Sequence, residues 1–245
     1  MSFDRFSTGV SQFVNRTIQK TEEALKTTDK TLYPSDFEPA LRECVLRNDW
    51  AVAILRAVSA ILQPNPANRA QDAVLQVFDR KTDRTNELEE FGERLTTIGK
   101  NFGESNAHGA ALTKAGQCQS SLGKTLRAFE QNVEDTYVQW LRKYIQEISR
   151  PALASRDKLE NCRLDLDRAK SQLKHASEDS SKKSKLQSAV KQAEIAFDHQ
   201  LDTTMQRLNR AISEFDSHKG ALLQFLNAQR EYHEACLRSL NISLV

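Results

Sequence analysis

From Leu186 to Leu226 the apolar residues recur at helical spacing with almost no interruption. Positions 186, 190, 197, 201, 208, 212, 215, 222 and 226 are separated by steps of four, seven, four, seven, four, three, seven and four. Mixed threes and fours with a mean near 3.6 make a bundle seam with little supercoil. The pattern predicts one helix over 184–242. A second long stretch, 108–176, keeps its periodicity on both sides of Pro151, which predicts a kink there rather than a stop. Sixty residues of helix span roughly 90 Å at about 1.5 Å each. Three such helices leave much of their apolar surface open, so the chain is expected to pair with a second copy to complete its core.

Composition agrees with long helices that each bury one stripe. The chain is 28% charged and 39% hydrophobic, with 8 Gly and 5 Pro and a mean hydropathy of −0.60. That is too few turn residues for an all-β or α/β protein of this length, and no alternating run carries hairpin signals. The fold class is all-α. Tyr33-Pro34-Ser35-Asp36 reads as a break and a cap before a helix over 36–62. Leu62-Gln63-Pro64-Asn65-Pro66 then interrupts helical hydrogen bonding, and the helix resumes over 87–103. Gly103, Ser105 and Asn106 mark a turn, and 177–183 is a polar turn. Gly109, Gly116 and Gly123 are spaced by seven, as are Gly92 and Gly99. A mid-helix glycine costs roughly 1 kcal/mol against alanine. The spacing therefore points to another helix backbone passing close, and Gly109, Gly116 and Gly123 are assigned to a dimer contact. The alternative is a set of tolerated weak points.

At the N-terminus a second stripe runs through Phe3, Phe6, Val10, Phe13, Val14 and Ile18, opposite Asp4, Arg5, Ser7, Ser11, Asn15, Arg16 and Lys20. Such a helix packs on its own protein or lies in a lipid surface. A mitochondrial presequence is opposed by Asp4 and the Glu22-Glu23 pair. Net charge is +2, from 35 basic and 33 acidic residues, which excludes a generally basic nucleic-acid binder. Any anionic partner meets local patches. Arg163, Arg168, Lys170 and Lys174 lead into the polar turn, and Lys182, Lys183, Lys185 and Lys191 follow it; Arg80, Lys81 and Arg84 lie in the interruption. These are membrane-facing cations or a solvated hairpin diluted by Asp165, Asp167, Glu178 and Asp179.

Catalysis has little support. The five histidines, 108, 175, 199, 218 and 233, are scattered without a metal-binding or HExxH pattern and read as surface or seam residues. Asp165 and Asp167 do not share a helix face. The four cysteines, 44, 118, 162 and 236, have no CxxC spacing, which fits reduced thiols in the cytosol. No cofactor or metal is expected. The longest apolar runs are too short to span a bilayer, no signal peptide is visible, and neither end carries a lipidation pattern.

Several segments resemble the endophilins. Leu62-Gln63-Pro64-Asn65-Pro66-Ala67-Asn68-Arg69 is similar to their LQPNP-x-x-R segment. Arg163-Leu164-Asp165-Leu166-Asp167 is similar to R-L-D-[LF]-D, and Asn227-Ala228-Gln229-Arg230-Glu231-Tyr232-His233 to A-Q-x-x-Y-x. Phe13-Val14-Asn15-Arg16 with Gln19, Thr21, Glu22 and Glu23, and Phe102-Gly103 leading to His108-Gly109-Ala110-Ala111-Leu112-Thr113-Lys114, are nearest to the B-type members. The matches run in order from residue 3 to about 240. One departure is Trp140, where B-type members carry proline; Pro151 follows eleven residues later, about three turns on.

The resemblance implies an N-BAR domain. Over 27–245 it implies a long, kinked antiparallel three-helix coiled-coil bundle, forming a crescent-shaped six-helix homodimer, with an insert at about 63–87 in the first long helix. An amphipathic membrane helix over 1–26 precedes it. The implied function is sensing and generating membrane curvature, in tubulation, vesicle formation and endocytic or organelle remodelling, from a cytoplasmic, peripheral membrane location. Phe3, Phe6, Val10, Phe13, Val14 and Ile18 would insert. Arg5, Arg16, Lys20, Arg80, Lys81, Arg84, Arg168, Lys170, Lys174, Lys182, Lys183 and Lys185 would meet headgroups. The implied partners are anionic phospholipid membranes and a second copy or a related BAR protein, with no nucleic acid. Family members end in a Src-homology-3 domain, so proline-rich partners enter only if the full product carries one. The alternative function is a helical-bundle interaction scaffold with the terminal helix docked on itself or on a partner.

Overall fold

A computed structural model describes residues 30–63, 85–103, 105–176 and 180–243. Among them there are helices and turns and no strand. In order they are α1 (Phe37–Leu62), α2 (Glu87–Phe102), α3 (Ala107–Val133), a π-helical turn (Glu134–Val138), α4 (Gln139–Lys143), a second π-helical turn (Tyr144–Ser149), α5 (Arg150–Lys174), α6 (Ser180–Asp216) and α7 (His218–Ser243). The described residues form two compact units. The first holds the start of α1, the chain from Lys143 to the end of α5, and α6; the second holds the end of α1, α2, α3, α4 up to Arg142, and α7.

The core of the first unit takes Phe37, Leu41 and Cys44 from α1, Ala152, Leu159 and Leu166 from α5, and Phe197, Leu208 and Ala211 from α6. The α5 residues are seven apart, two turns, so they form one stripe. Each fully buried leucine contributes about 1.5–3 kcal/mol. Tyr33 meets Glu160 while Asn48 meets Ser149, so α1 runs antiparallel to α5. Tyr33 packs on Phe197 and Trp50 on Phe215, so α1 runs parallel to α6. Cys44 is fully buried, and burial pushes its thiol pKa up to about 11, which leaves it unreactive.

In the second unit α2 and α3 form an antiparallel hairpin. Asn86 caps α2: its Oδ1 accepts from Glu89 N–H at 3.0 Å, and its own N–H donates to Glu89 Oε2 at 3.1 Å. This reciprocal pair satisfies two orphan donors. Glu89 also pairs with Arg127. Burial raises the Glu89 pKa, but the Asn86 N–H and the Arg127 guanidinium outweigh it, and the net direction is down. Across the hairpin a Cβ on Gly116 would lie 2.6 Å from Gly92 O, and a Cβ on Gly109 2.8 Å from Gly99 O. Gly123 faces Asn86 and Glu89 in the same way. The spacing does mark a close backbone approach. The assignment of Gly109, Gly116 and Gly123 to a dimer contact is corrected: the helix that comes close is α2 of the same chain, and its backbone fills the space beside them. At the turn, Gly103 takes φ 87, a conformation glycine adopts without steric cost.

Two further expectations change. The irregularity expected at Pro151 lies just before it, where the hydrogen-bond register slips to i−5, as in Arg150 N–H to Ile145 O. Pro151 has no N–H to give and follows that turn directly in an unbroken helical run, so the slipped register lies where a helical hydrogen bond is missing. The single last helix is two, broken at Ser217. Past that break the buried residues are Ala221, Phe225 and Ala228, while Leu222 and Leu226 are 38% and 49% exposed. The seam has moved by one residue.

Candidate membrane-binding site

The first unit gathers cations where α5 gives way to α6. Arg168, Lys174, Lys182, Lys183 and Lys185 are exposed, and Arg168 is ion-paired to Asp165. Lys170 is half-buried and donates to Thr31 Oγ1 at 3.2 Å, with Glu194 at 4.0 Å. Phe3, Phe6, Val10, Phe13, Val14 and Ile18, with Arg5, Arg16 and Lys20, lie outside the described residues. So do Arg80, Lys81 and Arg84.

Arg163, grouped with these cations on sequence grounds, has another use. It is buried, and its guanidinium holds both oxygens of Glu160, at 3.0 and 2.6 Å, and Asp167 Oδ2 at 2.8 Å. The bond to Glu160 holds Arg163 firmly charged and, from the other side, draws the Glu160 pKa below the usual carboxylate range. The remaining capacity of both carboxylates goes to the segment before α1. Asp167 Oδ1 accepts the Thr31 N–H at 2.8 Å, and Glu160 Oε2 accepts the Tyr33 hydroxyl at 2.6 Å. The Tyr33 ring packs on Phe37 at 4.5 Å. Burial, then the bond to Glu160, raises the tyrosine pKa. The R-L-D-L-D segment is therefore a latch: Arg163 orients two carboxylates, Leu166 fills the core, and Asp167 fastens the incoming chain. Latching brings Lys30 beside Lys170 and Lys174, around a cavity of about 350 Å³ lined by Lys30, Thr31, Lys170 and Lys174.

The second unit carries exposed apolar side chains on two of its helices. On α2, Phe91, Ile98 and Phe102 are 50%, 46% and 52% exposed; on α7, Leu222, Leu223, Leu226, Leu237 and Leu240 are also exposed. Among the described residues no helix is long and apolar enough to cross a membrane. None of their His, Cys, Asp and Glu side chains group in threes that could hold a metal.

The family model described as the BAR domain matches residues 10–243. The chain belongs to the BAR-domain family. This BAR domain is 32% identical over 225 residues to Endophilin-B1 of Rattus norvegicus and of Homo sapiens, covering 91% of the chain and 61% of each relative. It is 27% identical over 253 residues to Endophilin-B2 of Gallus gallus, covering 91% of the chain and 63% of the relative. The chain thus spans about 61% of the length of the first of these curated relatives. The resemblance to B-type endophilins read from short motifs extends over most of the BAR domain. Sequence reasoning had no means of finding Lys30 and Thr31. They are placed by a backbone N–H, which every non-proline residue carries, so no side-chain pattern announces them.

Proposed function

We propose that this chain is a peripheral membrane-binding module that senses and generates curvature as a dimer on the cytoplasmic side of anionic membranes. The observation that carries the reading is the cation cluster at the α5–α6 end, where Lys174, Lys182, Lys183 and Lys185 all face solvent. Each such lysine near an anionic leaflet contributes about 1 kcal/mol and fades within a Debye length. The N-terminal stripe is the wedge: Phe3, Phe6, Val10, Phe13, Val14 and Ile18 enter the acyl boundary, while Arg5, Arg16 and Lys20 stay with the headgroups. Arg80, Lys81 and Arg84 of the insert add adhesion.

The exposed apolar side chains of the second unit support pairing with a second copy or a related BAR protein. A half-exposed side chain has on the order of 1 kcal/mol still to gain. Phe91, Ile98 and Phe102, counted twice in a symmetric pair, reach only the low end of the about 4–15 kcal/mol that association costs. The leucines of α7 therefore share the contact. Co-sedimentation with anionic vesicles tests the wedge. Phe6→Glu with Phe13→Glu is expected to reduce binding and abolish tubulation; unchanged tubulation means the stripe does not insert.

A further inference from the structure

We infer that Glu160, Arg163 and Asp167 are positioning residues for the N-terminal stripe: their latch fixes where that segment leaves the bundle and so couples its insertion to adhesion. The inference rests on the proposed wedge over 1–26, and the latch acts by placing that wedge, not by touching lipid. Asp167 Oδ1 accepts the Thr31 N–H at 2.8 Å, Lys170 Nζ donates to the Thr31 hydroxyl at 3.2 Å, and Glu160 Oε2 accepts the Tyr33 hydroxyl at 2.6 Å. Glu160 and Asp167 are seven residues apart, two turns, so both acceptors stand on one face of α5. Arg163 orients the two carboxylates, and bonds to an ionised acceptor are roughly twice as strong as neutral ones. Leu32, between the two fastened residues, is 75% exposed, so this stretch is held by polar bonds and not by burial. The start of α1 is seated by Phe37, 2% exposed. The latch therefore fixes the chain further upstream than the helix itself requires.

What that extra reach does follows from chain length. With Thr31 fixed, only residues 27–30 separate it from the proposed helix over 1–26. At about 3.6 Å per residue the near end of that helix stays within about 18 Å of Thr31. Lys174 lies seven residues past Asp167 on α5, about 10 Å along the helix. The wedge is thus delivered beside the cations proposed to adhere. Tethering makes the second binding event intramolecular, with an effective concentration that falls roughly as the −3/2 power of tether length. Without the latch the first fixed residue is Phe37, and the tether lengthens from 27–30 to 27–36. The effective concentration of the wedge at the adhering surface then drops about fourfold.

The test reads insertion directly. A fluorophore is attached to the N-terminal amine of the full chain, and its quenching is followed on phosphatidylserine vesicles that contain brominated phosphatidylcholine. Tyr33→Ala/Asp167→Ala is expected to weaken the insertion equilibrium about fourfold. Asp167→Asn keeps an oxygen for the Thr31 N–H and is expected to insert as the wild type does. A ten-residue Gly-Ser segment placed between Asp29 and Lys30 leaves the latch bonds intact. It is expected to weaken insertion about sixfold in the wild-type chain but only about threefold in the double variant, whose tether is already long. A latch that only stabilised the fold would give the same factor in both. Equal factors therefore overturn the positioning role, as does wild-type insertion by the double variant or lost insertion in Asp167→Asn. In each of these the wild-type chain still inserts, and the wedge reading stands. No quenching with the wild-type chain overturns the wedge reading and the positioning role with it.

Discussion

Arg163 spends its guanidinium on two carboxylates of its own helix, and through them it fixes a segment more than a hundred residues earlier. Breaking a buried pair from one side costs more than the pair contributes, because the surviving charge is left without its partner. Asp167→Ala leaves Arg163 half-served and the Thr31 N–H without its acceptor, so a loss of about 1–3 kcal/mol is expected in urea denaturation. Glu130 makes the opposite contribution. Burial and the charge of Glu87 raise its pKa to about 6, against the opposing pull of Arg127. A carboxyl that binds its proton more tightly when folded stabilises the fold at low pH. That contribution is lost as pH rises from the ordinary glutamate value through about 6. Glu130→Gln is therefore expected to stabilise the chain at neutral pH by about 1 kcal/mol, discounted for its half-exposed position, and to flatten the melting temperature across that pH window. Neither effect is legible in sequence, since Glu130 owes its environment to neighbours brought in by folding.

Among the elements, the α2–α3 hairpin states its own packing rule. Gly92, Gly99, Gly109 and Gly116 remove side chains where two backbones meet. Gly116→Ala would place a Cβ 2.6 Å from Gly92 O and 2.7 Å from Thr96 N. Overpacking of this kind costs about 1–3 kcal/mol, more than the roughly 1 kcal/mol gained in helix propensity. Gly220→Ala, on α7 with nothing within 4 Å of its Cβ, is the control. Its melting temperature is expected to rise while that of Gly116→Ala falls. The sevenfold spacing was readable because close approach demands small residues. Which helix comes close was not, because spacing records a distance and not a partner. The break at Ser217 was hidden for a related reason. Gly220 lies three residues past it, inside α7, and Leu222 and Leu226 continue the earlier period although the buried seam passes to Ala221, Phe225 and Ala228. The end of α1, by contrast, was legible from the prolines after Leu62.

For the whole molecule, family and fold class were legible from long apolar periodicity, scarce turn residues and motifs in fixed order, and the BAR-domain match spans the same length. The proposed adhesive surface was legible in part. Lys174, Lys182, Lys183 and Lys185 stand out as charge near a turn, whereas Arg163 looks the same in sequence and is buried. The central claim is that adhesion to anionic bilayers is electrostatic and lies at the α5–α6 end. The most direct measurement is co-sedimentation of the wild-type chain and of Lys182→Glu/Lys183→Glu/Lys185→Glu with anionic and with neutral vesicles, over a series of salt concentrations. The account predicts binding to anionic vesicles only, falling as salt rises and lost in the triple variant. Equal binding to neutral vesicles, or wild-type binding by the triple variant, would contradict it.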